Sequence, residues 1–225
     1  MKHTEQEMQS LKEEISQMWK LVISQLEKAR QSFLSNDIEL AREVASREKR
    51  VNAFELKIDS DCENYIALYN PVAVDLRLTL SIIKISSTLE RIGDFTEGIA
   101  RYIIEDDCNK VSPQLLEDLQ LEKMFDTLVG MLSDGFVALE SENTKISGKI
   151  LAKDEEVDEI YRNALDVLTA YLQENPAYIR CGLKLLLLIR KLERIGDHCS
   201  NIVEEIVFYV DAKVLKHNSK KTDYA

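Results

Sequence analysis

Apolar residues return every three or four positions along nearly the whole chain. Over about 5–34, Leu11, Ile15, Met18, Val22, Leu26 and Ala29 advance in steps of four and three, which gathers them on one face of a helix. A second seam runs over 38–69 through Leu40, Val44, Val51, Phe54, Ile58, Tyr65 and Leu68, and a third, from about 72, through Ile82, Ile85, Leu89, Ile92 and Ile99. Polar caps and prolines punctuate these seams. Ser35-Asn36-Asp37 reads as a cap-rich turn. Asn70-Pro71 ends the second helix, because a residue before proline is pushed out of the helical region. Asp106-Asp107-Cys108-Asn109 breaks the third, and Ser112-Pro113 reads as a cap with proline at the first helical position. Three more helices are predicted over about 113–139, 146–174 and 177–214, with Asn175-Pro176 repeating the earlier break. Residues 217–225 are polar and predicted to fray.

The seams are themselves repeated. Leu-Glu-Arg-Ile-Gly-Asp occurs at Leu89–Asp94 and again at Leu192–Asp197, an offset of 103 residues. At that offset Arg77 matches Arg180, Leu80 matches Leu183, and Ile99 matches Ile202. Upstream the offset becomes 106, where Val51 matches Val157 and Phe54 matches Ile160, so a turn near Pro71 and Pro176 differs by three residues. One unit has been duplicated. Each unit is a helix, a short turn, a helix, a proline break and a helix, and short turns force antiparallel neighbours. The predicted fold is all-α: six long helices forming a tandem repeat of two antiparallel three-helix bundles, over 1–110 and 111–215, with a polar tail at 216–225. Helices of about 30 residues are about 45 Å long, so an elongated molecule with crossing angles near +20° is expected.

Composition agrees with long helices: 45% of residues are apolar, and there are only seven Gly and three Pro. The net charge of −11 opposes nonspecific nucleic-acid binding. No apolar run reaches the roughly 18 residues that span a bilayer, and the N-terminus has neither the apolar core nor the cleavage site of a leader. A cytoplasmic location without membrane insertion is expected. Cys62, Cys108, Cys181 and Cys199 have no tight spacing and read as buried or incidental thiols.

The repeated hexamer carries the candidate chemistry. Glu90 and Asp94, like Glu193 and Asp197, are four apart and therefore share a helix face. Gly93 and Gly196 sit inside helices at a cost of about 1 kcal/mol relative to alanine. Either a neighbouring helix approaches closely there, or the backbone stays clear of something bound. The fifth helix adds Asp154 and Asp158, again four apart, aligned with Glu48 and Asn52 in the first half. Asn201, four after Asp197, can add a carbonyl oxygen where the first half has Gly98. Converging carboxylates would favour hard cations such as Mg²⁺, Mn²⁺, Ca²⁺ or iron. The plain alternative is a solvated acidic face, or acids neutralised by Arg77, Arg91, Arg180 and Arg194. On either view the first site is depleted, since Asn52 replaces an acid. His198 reads as a surface residue, with a peripheral-ligand role as the lesser alternative. No Glu-x-x-His pair, nucleophile elbow, phosphate-cradling glycine loop or Cys-x-x-Cys is present, so no catalytic residue and no organic-cofactor site is assigned.

Pro71-Val-Ala-Val-Asp-Leu-Arg77, Leu89–Asp94 and the segment from Leu192 through Asp197 to Val203 resemble the PhoU family of bacterial regulators of phosphate uptake and signalling. The resemblance spans nearly the whole chain. It implies two three-helix bundles and a non-enzymatic cytoplasmic adaptor, peripheral to the inner membrane through its partners. Those partners would be the ATPase subunit of the phosphate ABC transporter and the sensor histidine kinase of the phosphate regulon, which it restrains when phosphate is plentiful. It also implies metal ions, iron, Mn, Mg or Zn, on Glu90, Asp94, Glu193, Asp197, Asp154 and Asp158, with Glu48 paired to the deviant Asn52, and a homodimer. The competing readings are a metal-dependent phosphoesterase working on the carboxylate clusters and a plain helical scaffold.

Overall fold

A computed structural model describes residues 2–105 and 112–214. Within them the chain forms α1 (Lys2–Ser35), α2 (Ile38–Tyr69), α3 (Ala73–Ile104), α4 (Pro113–Asp118), α5 (Leu121–Glu140), α6 (Ser147–Glu174) and α7 (Ile179–Asp211). The expected break at Asp106–Asn109, the boundary at 110 and 111, and the polar tail lie outside the described residues.

The turns follow the predicted chemistry. Asn36 takes a left-handed φ of 52°, and Asp37 caps α2 by accepting a hydrogen bond from Leu40 N at 3.0 Å. Asn70 closes α2 in the left-handed region, its N–H bonded to Ile66 O, and Pro71 prevents continuation. One prediction needs correction: the fourth helix is not continuous over 113–139. Gln120 takes a left-handed φ of 51° and separates α4 from α5. The seam persists across the kink, with Leu115, Leu119, Leu121 and Met124 all buried, so periodicity alone gave no sign of it. Single 3-10 turns, Thr144–Ile146 and Pro176–Tyr178, precede α6 and α7.

Helices α1, α2 and α3 pack on one another, as do α5, α6 and α7, and the two sets are joined along α3 with α7 and α1 with α5. Residue pairs along the α3–α7 contact run in opposite directions. Arg77 Nε donates to Tyr209 O at 3.4 Å and Ser81 Oγ to Glu205 O at 3.3 Å, while further along Phe95 stacks on His198 with ring centroids 5.6 Å apart. Phe95 and His198 are equivalent positions of the repeat, 103 apart. Equivalent residues meeting on antiparallel helices mark the point where a pseudo-twofold relation passes between the copies.

The two sets share a buried apolar core. Trp19 of α1 is fully buried against Phe136 of α5, and its Nε1–H donates to Leu132 O at 3.0 Å. Phe33 packs on Phe125 at 5.6 Å. Burying side chains of this size contributes about 2–3 kcal/mol each, which locks the bundles into one body.

Candidate functional site

The retained glycines explain how the carboxylates are set. A Cβ at Gly93 would lie 3.2 Å from Val51 Cγ1 of α2; one at Gly196 would lie 2.7 Å from Asp154 Oδ1 and 3.4 Å from Val157 Cγ1 of α6. Close helix approach, the first of the two alternatives, is therefore what the glycines permit. It draws α2 to α3 and α6 to α7 directly beside the hexamers.

In the second copy, Asp154 is partly buried between α6 and α7. Its Oδ2 accepts from Ser200 Oγ at 2.7 Å, and its Oδ1 is buried with no hydrogen-bond partner. Burial, then the negative charges of Asp158 and Asp197, push its pKa up to about 6 against the opposing Ser200 bond. Glu193 is raised by burial and by Asp197 and Asp158, partly offset by Arg194 and Arg190. Four predicted residues, Asp154, Asp158, Glu193 and Asp197, thus lie within each other's electrostatic reach. Asn201 is exposed, one turn beyond Asp197. Arg194 approaches Asp197 at 3.9 Å with both side chains roughly half exposed, a weak ion pair.

In the first copy, burial and the charges of Asp94, Glu55 and Glu48 push Glu90 up to about 6 against Arg91. Asp94 is raised by burial, Glu48 and Glu97. Glu48, Glu90 and Asp94 therefore lie within electrostatic reach of one another, and Asn52 donates from Nδ2 to Glu48. Two acids were missed. Glu55 is raised by burial and by Asp59 and Asp94 against a bond from Ser87, and Asp59 by burial and Glu63 against a bond from Ser86. Their spacing from Glu48, seven and then four more along α2, carried the signal.

His198 is a correction. It is not a surface residue but 8% exposed, sandwiched against Phe95, with Nε2 unpartnered. Burial, then Arg194 and Arg91, hold its pKa below the usual value. The α3–α7 contact that covers it cannot be read from either helix's own periodicity. Of the thiols, Cys62 and Cys199 are buried and Cys181 partly so, and burial raises Cys62 to about 12, which suits inert core residues. Cys108 lies outside the described residues.

The donor set can be tested against a metal. It is all oxygen, as hard cations prefer, and the orphaned Asp154 Oδ1 is an acceptor in want of a positive partner. Among the described residues, however, no three His, Cys, Asp or Glu side chains are already gathered around one point, so ligation would need side-chain rotation.

Comparison with known proteins agrees with the duplication. The PhoU domain model matches twice, at residues 15–103 and 121–206. The chain is 35% identical over 211 residues to the phosphate-specific transport system accessory protein PhoU of Edwardsiella tarda, covering 94% of this chain and 86% of that one. It is 32% identical to the Aquifex aeolicus homologue, covering 96% of each. The crystal structure of PhoU from Pseudomonas aeruginosa superposes with a TM-score of 0.87 at 30% identity, over 93% of this chain and 99% of that one. With both repeats matched and relatives covered along most of their length, the chain belongs to the PhoU family.

Proposed function

We propose that this protein is a regulatory accessory component of a phosphate-specific transport system, acting as an adaptor and not as an enzyme. On this reading it links the transporter's ATPase subunit to a phosphate sensor histidine kinase and restrains the kinase when phosphate is plentiful. The observation that carries the reading is end-to-end similarity to relatives that bear the accessory-protein name, with both copies of the repeat included. Among the described residues no helix is long and apolar enough to cross a membrane, which fits recruitment to the cytoplasmic face through partners. Deleting the gene should derepress a phosphate-starvation reporter in phosphate-rich medium. Unchanged reporter output would overturn the proposal.

We propose further that the carboxylate groups take divalent or trivalent cations such as iron, Mn, Mg or Zn. Asp154, Asp158, Glu193 and Asp197 would be the stronger set, and Glu48, Glu90 and Asp94 the weaker. A bound cation would remove the mutual repulsion that raises Asp154 and Glu193. Metal analysis of protein purified without a nickel column tests this. Chelation should speed hydrogen exchange in α6 and α7 more than in α2 and α3; absence of metal, or equal exchange in both copies, would remove the idea.

A further inference from the structure

The outer side of α7 carries a feature that the carboxylate sites do not use. Ile179, Leu183 and Leu187 follow one another at four-residue steps and are 49%, 56% and 60% exposed. They form one stripe, pointing away from Gly182, Leu185, Leu188, Ile189 and Leu192, which face the core. The stripe continues into exposed Arg190 and Arg194. Between 179 and 192 the sequence has Arg180, Lys184, Arg190 and Lys191 and no acid, although the chain's net charge is −11.

The first copy carries a reduced form of this face. At the equivalent positions stand Leu76, Leu80 and Lys84, and Ser81, Ser87 and Thr88 replace Lys184, Arg190 and Lys191. The second copy is therefore the more apolar and the more cationic of the two equivalent surfaces.

We infer that the outer face of the N-terminal half of α7 is a docking surface for an acidic amphipathic helix of a partner protein. Leucine-type anchors at four-residue spacing suit a helix laid alongside, and exposed Arg190 and Arg194 at the end of the stripe select acidic flanks and steer their approach. A second copy meeting this face symmetrically would set cations against cations. Three aliphatic residues without an aromatic are a short membrane anchor, which disfavours a lipid surface. The inference rests on the adaptor reading, to which it gives a contact surface.

The test uses the full chain with Leu183→Glu plus Leu187→Glu, with Arg190→Glu alone, and with Leu80→Glu as the first-copy control. Helical content and melting temperature confirm folding. The probes are the purified ATPase subunit, the cytoplasmic part of the sensor kinase, and phosphatidylglycerol vesicles. For one of the two proteins, the double variant should bind at least about tenfold more weakly, the size expected for lost anchors. Arg190→Glu should weaken binding in a salt-dependent way, and the control should bind normally. Unchanged affinity for a protein that binds the parent chain overturns the inference and leaves the adaptor reading standing. So does an effect confined to vesicles or to self-association. If neither protein binds the parent chain, the adaptor reading falls and this inference falls with it.

Discussion

Two copies of one helix pair surround two different polar interiors. Under Gly93 lie Val51 and Gln25; under Gly196 lie Val157 and Leu128. Val51 and Val157 are repeat equivalents, 106 apart, and Gln25 and Leu128, 103 apart, take the matching place under each glycine. The valine and the glycine set helix spacing in both copies, while the neighbouring position tolerates an amide in one and a hydrocarbon in the other. The acids diverge in the same manner. Asp154 and Asp158 stand where the first copy has Glu48 and Asn52, and the first copy instead extends its acidic stripe to Glu55 and Asp59. Close-packed apolar contacts fix the scaffold, and the polar content around it drifts.

The largest expected effect comes from exchanging the residues under the glycines. Leu128 is fully buried, so Leu128→Gln would bury an amide beside Gly196 and should destabilise the protein by about 3 kcal/mol. Gln25 is also fully buried, with Nε2 donating to Val44 O at 3.3 Å and Oε1 unpartnered. Gln25→Leu should therefore cost nothing and gain up to about 1 kcal/mol. Urea unfolding measures both. Equal losses would mean that Gln25 has an organising role that its contacts do not reveal.

Exchanging the acids should give a smaller effect with a pH signature. Asp154 is raised from 3.8 to about 6, so between those values the folded chain holds the proton more tightly than the unfolded chain does. The stabilising contribution is complete below about pH 4 and is lost as pH rises through about 6. At pH 7 the ionised, metal-free Asp154 is a liability of about 1 kcal/mol once solvent screening is discounted. Asp154→Asn should recover that amount at pH 7 and nothing at pH 4. Asn52→Asp should do the reverse, placing a carboxylate against Glu48 and destabilising the first copy at pH 7. Melts across pH decide the matter: a gain for Asp154→Asn that persists at pH 4 would show that its cause is not the charge.

Most of this architecture could be read in the sequence. The seams, caps and proline breaks located the long helices, and the hexamer placed Glu90, Asp94, Glu193 and Asp197 beside partners on the preceding helix. What escaped was set by packing between distant segments or by backbone conformation. Gln120 carries no turn signal, yet it kinks the fourth helix while the apolar spacing continues. His198 looks polar and peripheral on α7 alone and is buried only because α3 brings Phe95 against it. Glu55 and Asp59 were visible as a stripe but have no acidic equivalents in the second copy, Tyr161 and Leu165 standing there, so attention to the repeat concealed them.

The smallest effect should come from the shared glycine, and it distinguishes the copies by kind. Alanine gains about 1 kcal/mol of helix propensity at either position. At residue 93 the new methyl would press on Val51 Cγ1 at 3.2 Å. Val51 is fully buried and stiff about χ1, so strain should exceed the gain and leave a net loss of somewhat under about 1 kcal/mol. At residue 196 the nearest atom, 2.7 Å away, is Asp154 Oδ1, the end of a side chain that can rotate. Gly196→Ala should therefore change stability by less than about 0.5 kcal/mol while turning Asp154 from Ser200. Its readout is the Asp154 carboxyl titration followed by carbon-13 NMR, which should shift in Gly196→Ala and stay put in Gly93→Ala. A larger stability loss at residue 196 than at 93 would mean that the Asp154 carboxylate is as rigidly held as the valine, and that the second copy's acids are fixed in place before any cation arrives.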